Sequence, residues 1–271
     1  MEAALGLEIS TLAWCLLTVF CAGFVRGYTG FGFSGLMVTT HALLLPPAEV
    51  VPAAFLLEIA ASLHMLPFVW REVAWRKVAV LGVGAVLGMP MGLWVLTQLP
   101  ILEVRLAVYT LVLGFTLLSL KGVQLHNEGG PGLIFGTGVV SGLANGLAAI
   151  GGLPVVLLFL ATPMAVAASR ATLVAYLFAG NVYAIAWSGS LDLLRPEILL
   201  RVLVFLIPLG FGVWLGHRRF VTTPPDLLPQ VQPRVPAHPL QLWVAPHDLF
   251  VIQVTYAIQE CLYSPAPPPL S

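Results

Sequence analysis

The sequence predicts an all-α, polytopic integral membrane protein made of two inverted repeats, each starting with a glycine-broken helical hairpin. Three observations predict it. Hydrophobic residues make up 59% of the chain and charged residues 9%, where a soluble domain carries about a quarter charged residues. Apolar runs long enough to cross a bilayer as helices recur along the chain, and the mean hydropathy is +0.95. Two of the runs are interrupted by glycine clusters, Gly27-Tyr-Thr-Gly-Phe-Gly-Phe-Ser-Gly35 and Gly142-Leu-Ala-Asn-Gly-Leu-Ala-Ala-Ile-Gly-Gly-Leu-Pro154, about half a chain apart.

The first broken run covers residues 9–45. Four glycines in nine residues cannot hold a regular helix against their own backbone entropy. In lipid, the peptide groups freed by such a break need protein, water or ligand partners, which makes a break inside a span a pointer to a transport site. Three apolar spans follow, at residues 50–69, 78–99 and 104–120, and a polar stretch at 121–130 closes the first half. The pattern then restarts with a broken run at 133–161 and spans at 165–187 and 198–215. The expected division is a first transmembrane repeat over 1–128, a second over 129–223, and a proline-rich tail over 224–271.

The halves match in detail. Gly27 and Gly32 align with Gly146 and Gly151 without a gap, and Gly88-Met-Pro-Met-Gly92 matches Gly212-Val-Trp-Leu-Gly216. The latter are small-xxx-small spacings that let helices approach closely. The basic residues Arg71, Arg76 and Lys77, then Lys121, then Arg218 and Arg219 all fall on one face if each broken run enters and returns. By the positive-inside rule that face is cytoplasmic. Arg105, Arg195 and Arg201 fall on the opposite face with Glu103 and the Asp192–Glu197 loop. The first hairpin then opens outward and the second inward, which makes the repeats inverted. A single crossing for each broken run is the alternative.

Chemistry is sparse. Gly30-Phe-Gly-Phe-Ser-Gly35 is a literal G-x-G-x-x-G, but it lacks the strand and the βαβ context of a nucleotide site. Half-helix starts near Phe33 and Gly152 offer backbone N–H groups that favour an anion. Arg26 lies directly before the first break, and Arg170 lies near the start of the span after the second. Charges at such depth pair or face water. The expected substrate-binding set is Arg26, Gly27, Gly30, Gly32, Phe33, Asn145, Gly151, Gly152 and Arg170. Glu58, deep in a span with His64 about two turns on, is the candidate for proton coupling, with an arginine ion pair as the plainer alternative. Asn145 and Asn181 fit ligand binding or helix-to-helix hydrogen bonding equally. His41 has no evident partner. Cys15, Cys21 and Cys261 show no metal-ligand spacing, and no H-E-x-x-H, G-x-S-x-G or C-x-x-C occurs. The expectation is no enzyme, no metal and no cofactor. The zero formal net charge argues against nucleic acid. The partners implied are a small anionic substrate, the lipid bilayer and, as a further option, a second copy of the chain.

These residues resemble a known family. Phe24-Val-Arg-Gly-Tyr-Thr-Gly-Phe-Gly-Phe-Ser-Gly35 resembles the first signature of the sulfite exporter TauE/SafE family, and Gly142 to Pro154 the second. Gly216-His-Arg-Arg-Phe220 and Thr222-Thr-Pro-Pro225 resemble the segment before that family's last helix. The resemblance covers roughly residues 8–225 and implies a bacterial inner-membrane, multi-pass permease with two repeats of about four helices. It implies small anions as substrates, among them sulfite and sulfonates. Arg26 and the glycines are the positions it carries over. The reading from another class is a non-transporting membrane scaffold or assembly subunit, which large soluble loops or an exposed docking helix would mark.

One departure from the pattern concerns the tail. Where a final apolar helix is expected, the chain has Asp226-Leu-Leu-Pro-Gln-Val-Gln-Pro-Arg-Val-Pro-Ala-His-Pro239 and ends Ser264-Pro-Ala-Pro-Pro-Pro-Leu-Ser271. The best apolar window, 240–258, contains Pro246, His247 and Asp248, a poor span. The expectation is unrelated sequence replacing the last helix, for instance translation in a shifted frame, against a genuine proline-rich extension. Reading the coding DNA decides between them: another frame after codon 225 should encode an apolar helix, and its absence rules the shift out.

Overall fold

The computed structural model describes residues 8–120 and 129–222. Lys121 and the tail from residue 224 lie outside the described residues. The elements are α1 (Ile9–Thr29), α2 (Phe33–His41), α3 (Pro47–Val69), a short 3-10 turn (Trp70–Glu72), α4 (Trp75–Gln98), α5 (Ile101–Leu120), α6 (Pro131–Ala148), α7 (Gly152–Ala161), α8 (Val166–Ser190) and α9 (Pro196–Thr222). Among the described residues, seven helices are long and apolar enough to cross a membrane. Every expected span has a helix, and each broken run is two helices.

The two breaks are made differently. Gly30 and Gly32 hold φ of 86° and 90°, a region closed to most side chains, so the first break needs glycine at both places. At the second break the left-handed residue is Ala149, with φ 56°. Its N–H donates to Asn145 O at 2.7 Å, and the next N–H, of Ile150, reaches back to Ala144 O at 3.4 Å. That is a Schellman-type stop to α6. Gly151, expected as a break residue, has an ordinary helical φ of −58°. It is glycine for space, since a Cβ there would lie 2.7 Å from Asn145 Cβ.

Each hairpin turns back. Thr18 Oγ1, midway along α1, lies 2.9 Å from His41 Nε2 at the end of α2, which supplies the partner that His41 lacks in the sequence. A Cβ on Gly129, just before α6, would lie 3.9 Å from Leu158 near the end of α7. The hairpins are then locked by close crossings. α1 packs along α9 and α6 packs along α4, while α3 packs against α8 between them.

The two crossings share one register. A Cβ on Gly27 would meet Val213 O at 2.2 Å and His217 N at 2.9 Å, while one on Gly146 would meet Met89 O at 2.3 Å and Leu93 N at 2.8 Å. The shift that carries Gly88 to Gly212 also carries Met89 to Val213 and Leu93 to His217. From the other side, Gly88 faces Val139 O and Leu143 N, and Gly212 faces Phe20 O and Phe24 N. No side chain fits at these glycines, so backbones touch, which is how membrane helices gain packing without a hydrophobic driving force. Gly88→Ala and Gly212→Ala should each lower stability by about 1–3 kcal/mol through overpacking. Gly82→Ala, on α4 with nothing within 4 Å, should be near neutral. Thermal unfolding of the detergent-solubilised protein checks all three, and equal effects at Gly82 and Gly88 would contradict the crossing.

Candidate functional site

A helix break leaves carbonyls at one end and N–H groups at the other without helical partners. At the first break arginines take the carbonyls. Arg26 Nη1 donates to Gly30 O, and Arg170 Nη2 reaches from α8 to donate to Gly27 O at 2.6 Å. An acid takes the N–H side, where Ser34 N in the first turn of α2 donates to Glu58 Oε1 at 3.3 Å. Positive groups at the C-terminal end of α1 and a negative group at the start of α2 match the signs of the helix dipoles.

Arg26 and Glu58 also pair directly, with Arg26 Nη2 3.0 Å from Glu58 Oε2, and the same Nη2 donates to Ser62 Oγ at 2.6 Å. Arg26 is 0% exposed, Glu58 1% and Arg170 4%. Arg170 has no carboxylate partner within ion-pair distance among the described residues. Its Nη2 lies 3.2 Å from His217 Nδ1, and its guanidinium stacks 4.1 Å above the Phe220 ring. The Nε of both arginines lacks a hydrogen-bond partner among the described residues. Two buried cations against one buried anion leave an excess of positive charge at the first break.

The second break is held by neutral groups. Asn145 Oδ1 accepts the Gly151 N–H at 3.2 Å, and Asn145 Nδ2 donates to Asn181 Oδ1 at 2.9 Å. Ser141 Oγ donates to Gly151 O, and Tyr176 Oη lies 2.6 Å from the same hydroxyl. The two sets correspond. The shift that carries Gly27 to Gly146 carries Arg26 to Asn145 and Ser62 to Asn181, and both hydrogen-bonded pairs are 36 residues apart. The same shift carries Glu58 to Leu177, so the second half has no acid at that place.

The structure therefore gathers Arg26, Gly27, Gly30, Glu58 and Arg170 at the first break, with Gly32 capping α2 and Phe33 buried as its first residue. Asn145 and Gly151 form the second set. The breaks meet where a Cβ on Gly152 would lie 3.9 Å from Phe31 Cβ. His64, about two turns on from Glu58, is exposed on α3, with its ring 6.2 Å from that of Phe68. Sequence reasoning misses Ser62, Ser141, Tyr176 and His217. The repeat shift could have found Ser62, because it maps onto the already suspected Asn181. Two cavities, of about 760 and 410 Å³, lie at opposite ends of α3, one beside Trp70 and Glu72 and one beside Pro47 and Ala48.

With the geometry in place, comparison with known proteins gives a consistent answer. The family described as "Sulfite exporter TauE/SafE" matches residues 15–231. The chain is 30% identical over 220 residues to the "Probable sulfite/organosulfonate exporter TauE" of Cupriavidus necator (strain H16), covering 76% of this chain and 82% of that protein. No solved structure matches the chain.

The buried pair gives a test of its own. Arg26→Met leaves the Glu58 carboxylate buried opposite an apolar side chain and should cost about 3–5 kcal/mol. Arg26→Met with Glu58→Leu should recover much of that loss, because no unpaired charge remains. A double-mutant cycle on unfolding midpoints reads the coupling, and strictly additive losses would mean that the two groups do not depend on each other.

Proposed function

The chain belongs to the sulfite exporter TauE/SafE family, and on that premise we propose that it is a permease carrying sulfite, a sulfonate or a related small organosulfur anion across the cell inner membrane. It works by alternating access between two inverted repeats, residues 1–128 and 129–223. The observation that carries the reading is the excess of positive charge where the two helix breaks meet. Arg26 and Arg170 are both buried, and the one buried carboxylate among the described residues, that of Glu58, pairs with Arg26. A buried charge without a partner is costly, and a small anion is the partner that removes the cost.

The breaks add direction to charge. The start of α2 supplies backbone N–H groups of the kind that bind anionic oxygens, and guanidinium groups bind such oxygens through paired donors. The proposed seat lies between Arg26, Arg170 and the first turn of α2 at Phe33 and Ser34, with Gly152 opposite Phe31. Asn145, Gly151 and Asn181 form its neutral wall. The common register of the α1/α9 and α4/α6 crossings supports the repeat, and the basic residues Arg71, Arg76, Lys77, Arg218 and Arg219 support placing that end in the cytoplasm.

Flux in membrane vesicles tests the reading. Radiolabelled sulfite and a small sulfonate should cross saturably with the wild-type chain. Arg170→Met or Arg26→Ala should each lower the flux by more than about tenfold while the protein still inserts, because each removes charge-assisted hydrogen bonds worth about 1.5–3 kcal/mol. Inserted wild-type protein that moves neither anion, or variants with undiminished flux, would overturn it.

A further inference from the structure

Glu58 sits where an anion would sit. One of its oxygens accepts the Ser34 N–H at the start of α2, at 3.3 Å, and the other lies 3.0 Å from Arg26 Nη2. Oε2 meets Arg26 as an ion pair without a hydrogen bond, since Nη2 donates to Ser62 Oγ. A sulfite or sulfonate seated there would take the Ser34 N–H and the same guanidinium charge through the same kind of anionic oxygen. We propose that Glu58 is a tethered competitor for the transported anion: the anion displaces its carboxylate from Arg26 and Ser34, and the carboxylate takes up a proton as it leaves. The proposal rests on the permease reading and adds to it a coupling between anion binding and one proton.

The surroundings of Glu58 favour the proton over a second ion pair. Arg26 from α1 and the Ser34 N–H from α2 are its present partners, and displacement removes both. From α8, Arg170 is engaged with Gly27 O and with His217 of α9, and Tyr176 is engaged with Ser141 of α6. On α3 itself, His64 is exposed and turned to Phe68, and Glu49 pairs with Arg201 of α9 at 2.7 Å. His41 of α2 lies against Thr18. On α5, Tyr109 and Arg105 donate to Thr39 O and Leu45 O. On α4, Lys77 lies 3.8 Å from Met164 Sδ. In the clasp Glu58 is 1% exposed, and among the described residues each cation named here already has a partner. A carboxylate that is buried and unpaired is far less costly neutral than charged.

The second half serves as an internal control. Asn145 and Asn181 stand at the places of Arg26 and Ser62 and hold the same kind of clasp, yet Leu177 stands at the place of Glu58. The neutral Asn145–Asn181 pair needs no counter-charge, so the acid accompanies the charge of Arg26 rather than the clasp's place in the repeat.

Binding to the purified full-length chain in detergent micelles tests the proposal, with methanesulfonate as probe because it stays ionised across the working range. Titrations in buffers of different ionisation enthalpy count protons. Wild type should take up about one proton for each anion bound, and its affinity should rise about tenfold for each unit that pH falls, because the bound state holds the extra proton. Glu58→Gln should bind with no proton uptake and no pH slope. It should also bind about tenfold or more tightly at neutral pH, because a seat open in only about 0.1–10% of molecules becomes open in all. Wild-type binding without proton uptake, or a pH slope that survives in Glu58→Gln, overturns the proposal. If Glu58→Gln does not fold, the wild-type proton count and slope decide alone. Sulfite, titrated in the same way, separates the two levels of failure. Sulfite binding with no protons beyond those of the anion itself overturns the role of Glu58 only, whereas failure to bind either anion overturns the permease reading as well.

Discussion

Peptide groups freed at two helix breaks, in a part of the protein that lipid surrounds, set the terms for everything else. Water cannot satisfy them in the hydrocarbon region, so side chains do. At the first break the carbonyls of Gly27 and Gly30 take Arg170 and Arg26, and the N–H of Ser34 takes Glu58. At the second, Gly151 has its N–H on Asn145 and its carbonyl on Ser141. Arg26, Arg170, Glu58, Asn145 and Ser141 thus each answer a local backbone need, and Ser62, Asn181 and Tyr176 hold three of those side chains in turn. The charged ones also answer it with the sign that the helix ends require.

One break is charged and the other neutral, although Arg26 and Asn145, and Ser62 and Asn181, occupy matching places. Stability alone gives no reason for the difference. Replacing a buried ion pair by well-packed neutral groups is often neutral or stabilising, and the second half contains such a replacement. The first half keeps Arg26, Glu58 and, brought in from α8, Arg170. The first half keeps charge where the second has amides, and the proposed anion seat is where that charge would have a use.

Much of this is legible in the sequence because bilayer thickness imposes a length on apolar runs and lipid imposes a penalty on breaks. The spans, both hairpins and the cluster around Arg26 follow from those two constraints. What is not legible depends on contacts between distant segments. Gly27 and Gly146 read as break residues, but their lack of a side chain serves the crossings with α9 and α4. The left-handed turn at the second break falls on Ala149 rather than on a neighbouring glycine, and an alanine carries no mark of that role. Arg170 reads as a residue of the second half, yet its guanidinium serves a carbonyl 143 positions earlier. The repeat shift is the one signal that crosses such distances, and it picks out Ser62 only once Asn181 is already suspected.

The packing also joins the two halves. The close crossings join α1 to α9 and α6 to α4, so each hairpin is locked to a helix of the other half. α3 also packs on α2 and α9, and α8 on α4 and α7, but the most extensive packing of each is against the other. The sets α1, α2, α9 and α4, α6, α7 each hold helices of both halves, and α3 with α8 forms the boundary between them. α3 and α8 face each other at that boundary. Arg170 crosses it, from α8 to the Gly27 carbonyl and His217, beside the place where Phe31 and Gly152 meet. Arg170 thus ties the two sets together at the proposed seat. This makes Arg170, with no carboxylate of its own, better placed than the clasped Arg26 to tell an occupied seat from an empty one.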